Sequence, residues 1–116
     1  FSQIGHALHD LDPVFNKYSY ESRVGQVARE LGLKVPLAVQ SMYIFKQPRI
    51  GGKVSPHQDG AFLYTEPQSV LGFWWALEDC TLENGCLHAV PRSQGNGVHR
   101  RFKRSPSVRS PPSSFI

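Results

Sequence analysis

Three consecutive residues, His57-Gln58-Asp59, carry the sharpest chemical signal in this 116-residue chain. Side chains two positions apart in an extended backbone leave on the same side. The spacing therefore predicts that the His57 imidazole and the Asp59 carboxylate converge on one point while Gln58 faces away. One His and one carboxylate are two of the three protein ligands in the facial triad that holds non-heme Fe(II) and leaves positions open for substrate and oxygen. Taken alone the spacing is weak, because an exposed His and Asp in a polar loop would read the same way. The other candidates read as structural. His6 and His9 stand at i, i+3 without a convincing ligand set, and Glu66, Glu78, Asp79 and Glu83 show no pairing that marks acid-base catalysis. Cys80 and Cys86 are too few to staple a secreted scaffold and are expected to be reduced thiols.

Positioning such a pair requires a sheet, and the sequence predicts one after an opening helical region. Val24, Val27, Ala28 and Leu31 follow the i, i+3, i+4, i+7 spacing of an amphipathic helix over residues 20–33. Ser19 or Ser22 is available to cap its start, Gly32 fits just past its end, and Pro36 prevents its continuation. A weaker helical pattern, Ile4 with Leu8, precedes it until Asp12 and Pro13 interrupt. Residues 37–47 are rich in β-favouring side chains and predict a central strand, 54–59 a second and 70–79 a third. Phe73, Trp74 and Trp75 are expected in a core. Asn84-Gly85 is a strong hairpin signal, with 86–90 as the return strand. From Pro91 onward Ser, Pro, Gly, Asn and Arg dominate. Helices first and strands afterwards predict a mainly β architecture with N-terminal helices, an α+β chain, with a partial sandwich or jelly roll as the natural form.

Composition narrows the function classes. Hydrophobic residues make up 40% and charged residues 19%, which fits one folded domain able to bury a core. The longest apolar stretch falls far short of a membrane span, and a soluble, cytoplasmic protein is expected. The net charge of +4 is uneven: residues 1–91 hold 7 Lys and Arg against 9 Asp and Glu, whereas residues 92–116 hold 6 against none. Nucleic-acid binding by that basic tail is a third-ranked reading, because only Phe102 and Phe115 accompany its cations and a stacking platform needs more aromatics. The chain opens on Phe1 rather than Met, and we expect an internal piece of a longer protein.

Four stretches occur in an order that resembles the phytanoyl-CoA dioxygenase family. They are residues 39–48 (VQSMYIFKQP), 55–59 (SPHQD), 62–67 (FLYTEP) and 82–87 (LENGCL), and the resemblance runs from Phe1 to about Val98. It implies a cupin-like double-stranded β-helix and an oxygenase that uses Fe(II) and 2-oxoglutarate, oxidising a small-molecule substrate while 2-oxoglutarate is decarboxylated to succinate. An acyl-CoA-like substrate is a family expectation. Under the resemblance His57 and Asp59 match the first two iron ligands. Met42 and Trp74 fall at positions lining the 2-oxoglutarate pocket, and Gln3 stands where a lysine is expected. An amide cannot offer an ammonium to a dicarboxylate.

The chain also departs from the family pattern. The family's second His ligand, and the Arg that follows it and pairs with 2-oxoglutarate, are not identifiable downstream. His88 is read as structural and His99 as solvent-exposed. Where relatives carry Pro-Gly-Ser-His, this chain reads Pro91-Arg92-Ser93-Gln94, and an Arg is awkward if that turn needs positive φ. The expectation is thus a partial dioxygenase domain over residues 1–98 and a disordered basic tail over 99–116, with weak or no activity of its own. A non-catalytic truncated relative acting as an interaction module is the alternative.

Overall fold

The computed structural model describes residues 3–101 and 103, and the chain divides into two compact units, Phe1–Lys53 and Val54–Ile116. In the first, strand β1 (Gln3–His6) pairs antiparallel with strand β2 (Ser41–Ile44), in the register Gln3 to Ile44 and Gly5 to Met42. Helices α1 (Leu8–Leu11), α2 (Pro13–Ser19) and α3 (Ser22–Glu30) lie between the strands in sequence. Ile4 therefore belongs to a strand opposite Tyr43, not to a helix. Tertiary pairing overrides the weak helical spacing it shares with Leu8. The strand predicted over 37–47 contracts to four residues, because only those find ladder partners.

Asp12 and Pro13 do more than interrupt a helix. Asp12 Oδ1 accepts the backbone N–H groups of Val14 at 2.9 Å and Phe15 at 3.0 Å, and Pro13 occupies the first helical position, where its missing N–H costs nothing. They launch α2. Replacing Asp12 with Ala should cost about 1 kcal/mol, read as a lower denaturation midpoint that Asp12→Asn largely restores.

α3 starts later than predicted, with Glu21 rather than a serine at its N-cap. Its end follows the sequence. Gly32 adopts φ 101°, its N–H donates to Arg29 O at 2.9 Å, and the Leu33 N–H donates to Ala28 O at 3.1 Å. This is the paired termination in which a left-handed glycine satisfies the last carbonyls.

The first unit packs around His9, which is 4% exposed. Its backbone N–H donates to Ser41 Oγ at 2.7 Å, its Nδ1 shares a hydrogen bond with the same oxygen at 2.7 Å, and its carbonyl accepts from Asn16 Nδ2 at 2.8 Å. Phe15 of α2 meets Tyr43 of β2 edge-on at 6.4 Å. The His9 ring is therefore a satisfied core group, in line with its structural reading.

The second unit has no α-helix or ladder-paired strand among its described residues, only 3-10 turns at Asp59–Ala61 and Ser93–Asn96. The strands predicted over 54–59, 70–79 and 86–90 are irregular instead. A β-strand exists only against a partner that takes its N–H and C=O groups, and these segments find none in the unit. The Asn84-Gly85 turn does form: Gly85 takes φ 82°, the Cys86 N–H donates to Thr81 O, and Asn84 Oδ1 accepts from the Thr81 N–H at 2.8 Å. Its own backbone N–H and the Thr81 side chain hold the Glu83 carboxyl below its ordinary range.

Phe73, Trp74 and Trp75 correct the core expectation, being 38%, 52% and 56% exposed. Phe73 and Trp75 stack on each other at 5.7 Å, so the run buries against itself where no facing layer covers it. Cys80 and Cys86 are both free thiols. Among the described residues no helix is long and apolar enough to cross a membrane. The disordered tail and its nucleic-acid reading fall largely on residues 102 and 104–116, which lie outside the described set.

Candidate metal centre

His57 and Asp59 meet as the spacing predicts. His57 Nε2 lies 3.3 Å from Asp59 Oδ1, with the side chains 51% and 61% exposed. Gln58 before the turn keeps extended dihedrals, φ −113° and ψ 127°, and this alone preserves the alternation although no strand forms. The tautomer follows from the other ring nitrogen. His57 Nδ1 stands 2.8 Å from Ser55 O, a carbonyl that can only accept, so Nδ1 carries the proton. Nε2 then faces a carboxylate oxygen, an arrangement that needs a proton or a cation between the two atoms.

The separation suits a cation. Two adjacent ligand atoms, each ~2.1 Å from one ion, stand roughly 3 Å apart. A carbonyl on the distal nitrogen is also the usual support for a metal-binding imidazole. The residues present thus fit two protein ligands of an iron site. Among the described residues no group of three or more His, Cys, Asp or Glu side chains is placed to hold a metal.

The pair lines an open cleft of about 410 Å³, to which Gly72, Ser93, Gln94 and Val98 also contribute. Gly72 borders Asp59 with room for a side chain: a Cβ there would sit 3.7 Å from Asp59 Oδ2, an ordinary contact. Gly60 is buried beneath the Gln68 side chain, and any Cβ at that position would overlap the Gln68 amide. His99 is exposed and lines an adjoining hollow that also reaches His57, while His88 is exposed elsewhere. Arg101 stacks its guanidinium 3.5 Å above the Tyr64 ring, so one cation of the basic segment is engaged within its own unit.

Of the positions ascribed to the 2-oxoglutarate pocket, Trp74 lies outside the cleft lining, two residues beyond Gly72. Met42 belongs to the first unit, where it faces Gly5 across the β1–β2 ladder. Gln3, Gly5 and Met42 occupy one face of that ladder, since directly paired and alternate residues point the same way. A Cβ on Gly5 would approach the Met42 Cβ to 2.8 Å, so glycine is what allows the close pairing. Two residues gain a place the sequence did not give them: Gln94, noted there only as a departure, enters the cleft lining, and Gln58, expected only to face away, bonds through its side chain to residues 97 and 99. Its place between His57 and Asp59 was the one available signal.

Arg92 takes φ 64° and ψ 6°, the left-handed region, at the entry to the Ser93–Asn96 turn. The turn keeps a conformation suited to glycine while the sequence supplies arginine. Arg92→Gly is therefore expected to stabilise the unit by about 1 kcal/mol, seen as a raised denaturation midpoint, with Arg92→Ala giving no such gain.

A phytanoyl-CoA dioxygenase family model matches residues 2–111 of the chain. The chain belongs to the phytanoyl-CoA dioxygenase family. It is 56% identical over 116 residues to phytanoyl-CoA dioxygenase domain-containing protein 1 of Bos taurus, covering 99% of this chain and 40% of that protein. It is also 56% identical over 103 residues to a phytanoyl-CoA dioxygenase of Arabidopsis thaliana, covering 89% and 36%. A Dictyostelium discoideum homologue of the domain-containing protein is 44% identical over 110 residues, covering 95% and 39%. The chain thus spans about two fifths of the length of these family relatives.

Proposed function

We propose that this chain is the His-x-Asp-bearing part of an Fe(II)/2-oxoglutarate-dependent dioxygenase acting on a small molecule. Residues 1–98 belong to its partial double-stranded β-helix domain and 99–116 form a basic tail. The carrying observation is the 3.3 Å approach of His57 Nε2 to Asp59 Oδ1, with Ser55 O orienting the ring so that Nε2 faces the carboxylate. In this reading His57 and Asp59 hold the iron, while Met42 and Trp74 are assigned to 2-oxoglutarate by the family resemblance alone.

Iron and 2-oxoglutarate, when bound, supply the oxidising chemistry. The chain's own residues orient and shield. Asp59 contributes the anionic ligand and Ser55 O locks the imidazole tautomer. Val70 and Val98 give the cleft its apolar wall. Two ligands hold iron weakly, so little or no succinate release is expected from these 116 residues. Anaerobic calorimetric titration should find weak one-to-one Fe(II) binding that tightens with 2-oxoglutarate, which itself chelates the ion. Fe(II) binding indifferent to 2-oxoglutarate would count against the dioxygenase reading.

A non-catalytic relative that serves as an interaction module is a second reading, favoured by Arg92 in a glycine-type turn and by Gln94 in the cleft where the family resemblance implies a His. Tight association with a protein partner that persists in the His57→Ala variant, together with absent Fe(II) binding, would select it.

A further inference from the structure

Resting on the assignment of His57 and Asp59 as metal ligands, we propose that Gln58 is the residue that positions them. Its amide is used at both ends: Nε2 donates to Gly97 O at 2.8 Å, and Oε1 accepts from the His99 N–H at 3.3 Å. These partners are 39 and 41 residues away in sequence. A carbonyl at one position and an N–H two positions later are what one residue of a parallel strand would engage on its neighbour. The Gln58 side chain thus supplies a single ladder rung in a unit with no ladder among its described residues. Gly97, at φ 72°, takes a backbone conformation open to glycine as it presents that carbonyl.

The rung acts on the ligands through the alternation of the chain. With Gln58 extended, side chains alternate along residues 57–59 while all three residues border one cleft, so pinning the amide fixes the rotation of the peptide that carries both ligands. Both are more than half exposed and lack tight packing to hold them. Ser55 O orients the imidazole ring and the Gln58 and Asp59 carbonyls accept from residues 61–63, but all of these bonds are local, and among the described residues only the Gln58 amide ties residues 57–59 to a remote segment. A metal site tolerates misplacement of only about half an ångström in its ligands. By reciprocity, metal binding must strengthen the hold on residues 97–99 as much as that hold strengthens binding.

The test uses the 116-residue chain with Co(II), whose ligand-field absorption reports coordination directly, at a temperature where circular dichroism shows each variant fully folded. Gln58→Ala should weaken Co(II) binding about 10- to 100-fold, the usual effect of losing an outer-shell partner. His99→Pro, which deletes the donating N–H, should weaken it too, whereas His99→Ala, which keeps that N–H, should bind like the unmodified chain. Combining Gln58→Ala with His99→Pro should add nothing to the larger single loss, because both break one rung. Co(II) affinity of Gln58→Ala within about twofold of the unmodified chain, or losses that multiply in the double variant, would overturn the inference. Should Gln58→Ala fail to fold, amide exchange in the unmodified chain decides: Zn(II) should slow exchange at the His99 N–H, and no change there would equally overturn it. A Co(II) spectrum in the unmodified chain that survives His57→Ala would instead sink the ligand assignment, and this inference with it.

Discussion

His57→Ala should lower Fe(II) affinity by about two orders of magnitude or more, equivalent to about 3 kcal/mol, and reduce any succinate release to background. The size follows from the ligand count. With two protein ligands in place, losing one leaves Asp59 as a lone carboxylate, and at 61% exposure it holds a hydrated ion no better than other surface acids. The fold should be indifferent, because the His57 side chain is half exposed and its hydrogen bond to Ser55 O lies within three residues of chain. Isothermal titration with Fe(II) under anaerobic conditions, beside a denaturation curve for each protein, separates the two effects. Unchanged affinity in a folded His57→Ala chain would show that the ion binds elsewhere.

Ser41→Ala should have the largest effect on stability, about 2–4 kcal/mol, since it leaves two buried groups without partners at once. Ser41 Oγ serves both the backbone N–H and Nδ1 of His9, each at 2.7 Å, and His9 is 4% exposed, so water cannot replace the hydroxyl without opening the unit. The same serine opens β2, so its loss loosens the seam that joins α1 to the strand pair. Ser41→Thr keeps the oxygen in a β-favouring side chain and should restore most of the loss. Hydrogen exchange at the amides of α1 and β2 gives the readout. A Ser41→Ala chain whose α1 amides exchange no faster would refute this account of the His9 pocket.

Legibility in the sequence followed how local each determinant is. The helix stop at Gly32, the turn at Asn84-Gly85 and the convergence of His57 with Asp59 all depend on a few adjacent residues, and each stands in the structure where the letters put it. Arg92 takes the positive φ that the sequence raised only as a condition, at the entry to the Ser93–Asn96 turn. Asp12-Pro13 was equally local yet misread: a break in one pattern is also the N-cap of the next helix, and Asp12 Oδ1 makes it so.

What failed was everything that needed a distant partner. Residues 70–79 have strand composition and Phe73 to Trp75 have core composition, but composition reports what a residue can pair with, not whether the partner is there. Neither the Gln3–Met42 face of the first unit nor the Gln58 hold on residues 97–99 could be read in advance, since each joins residues about forty positions apart. The sequence by itself determined the family, the approach of His57 to Asp59 and the local turns, because backbone sterics and side-chain alternation act over two to five residues. Tertiary structure alone decided which segments become ladder-paired strands, that His9 is buried on Ser41, and that an amide side chain stands in for a strand beside the candidate ligands, because a hydrogen bond between remote segments exists only once the chain has folded back on itself.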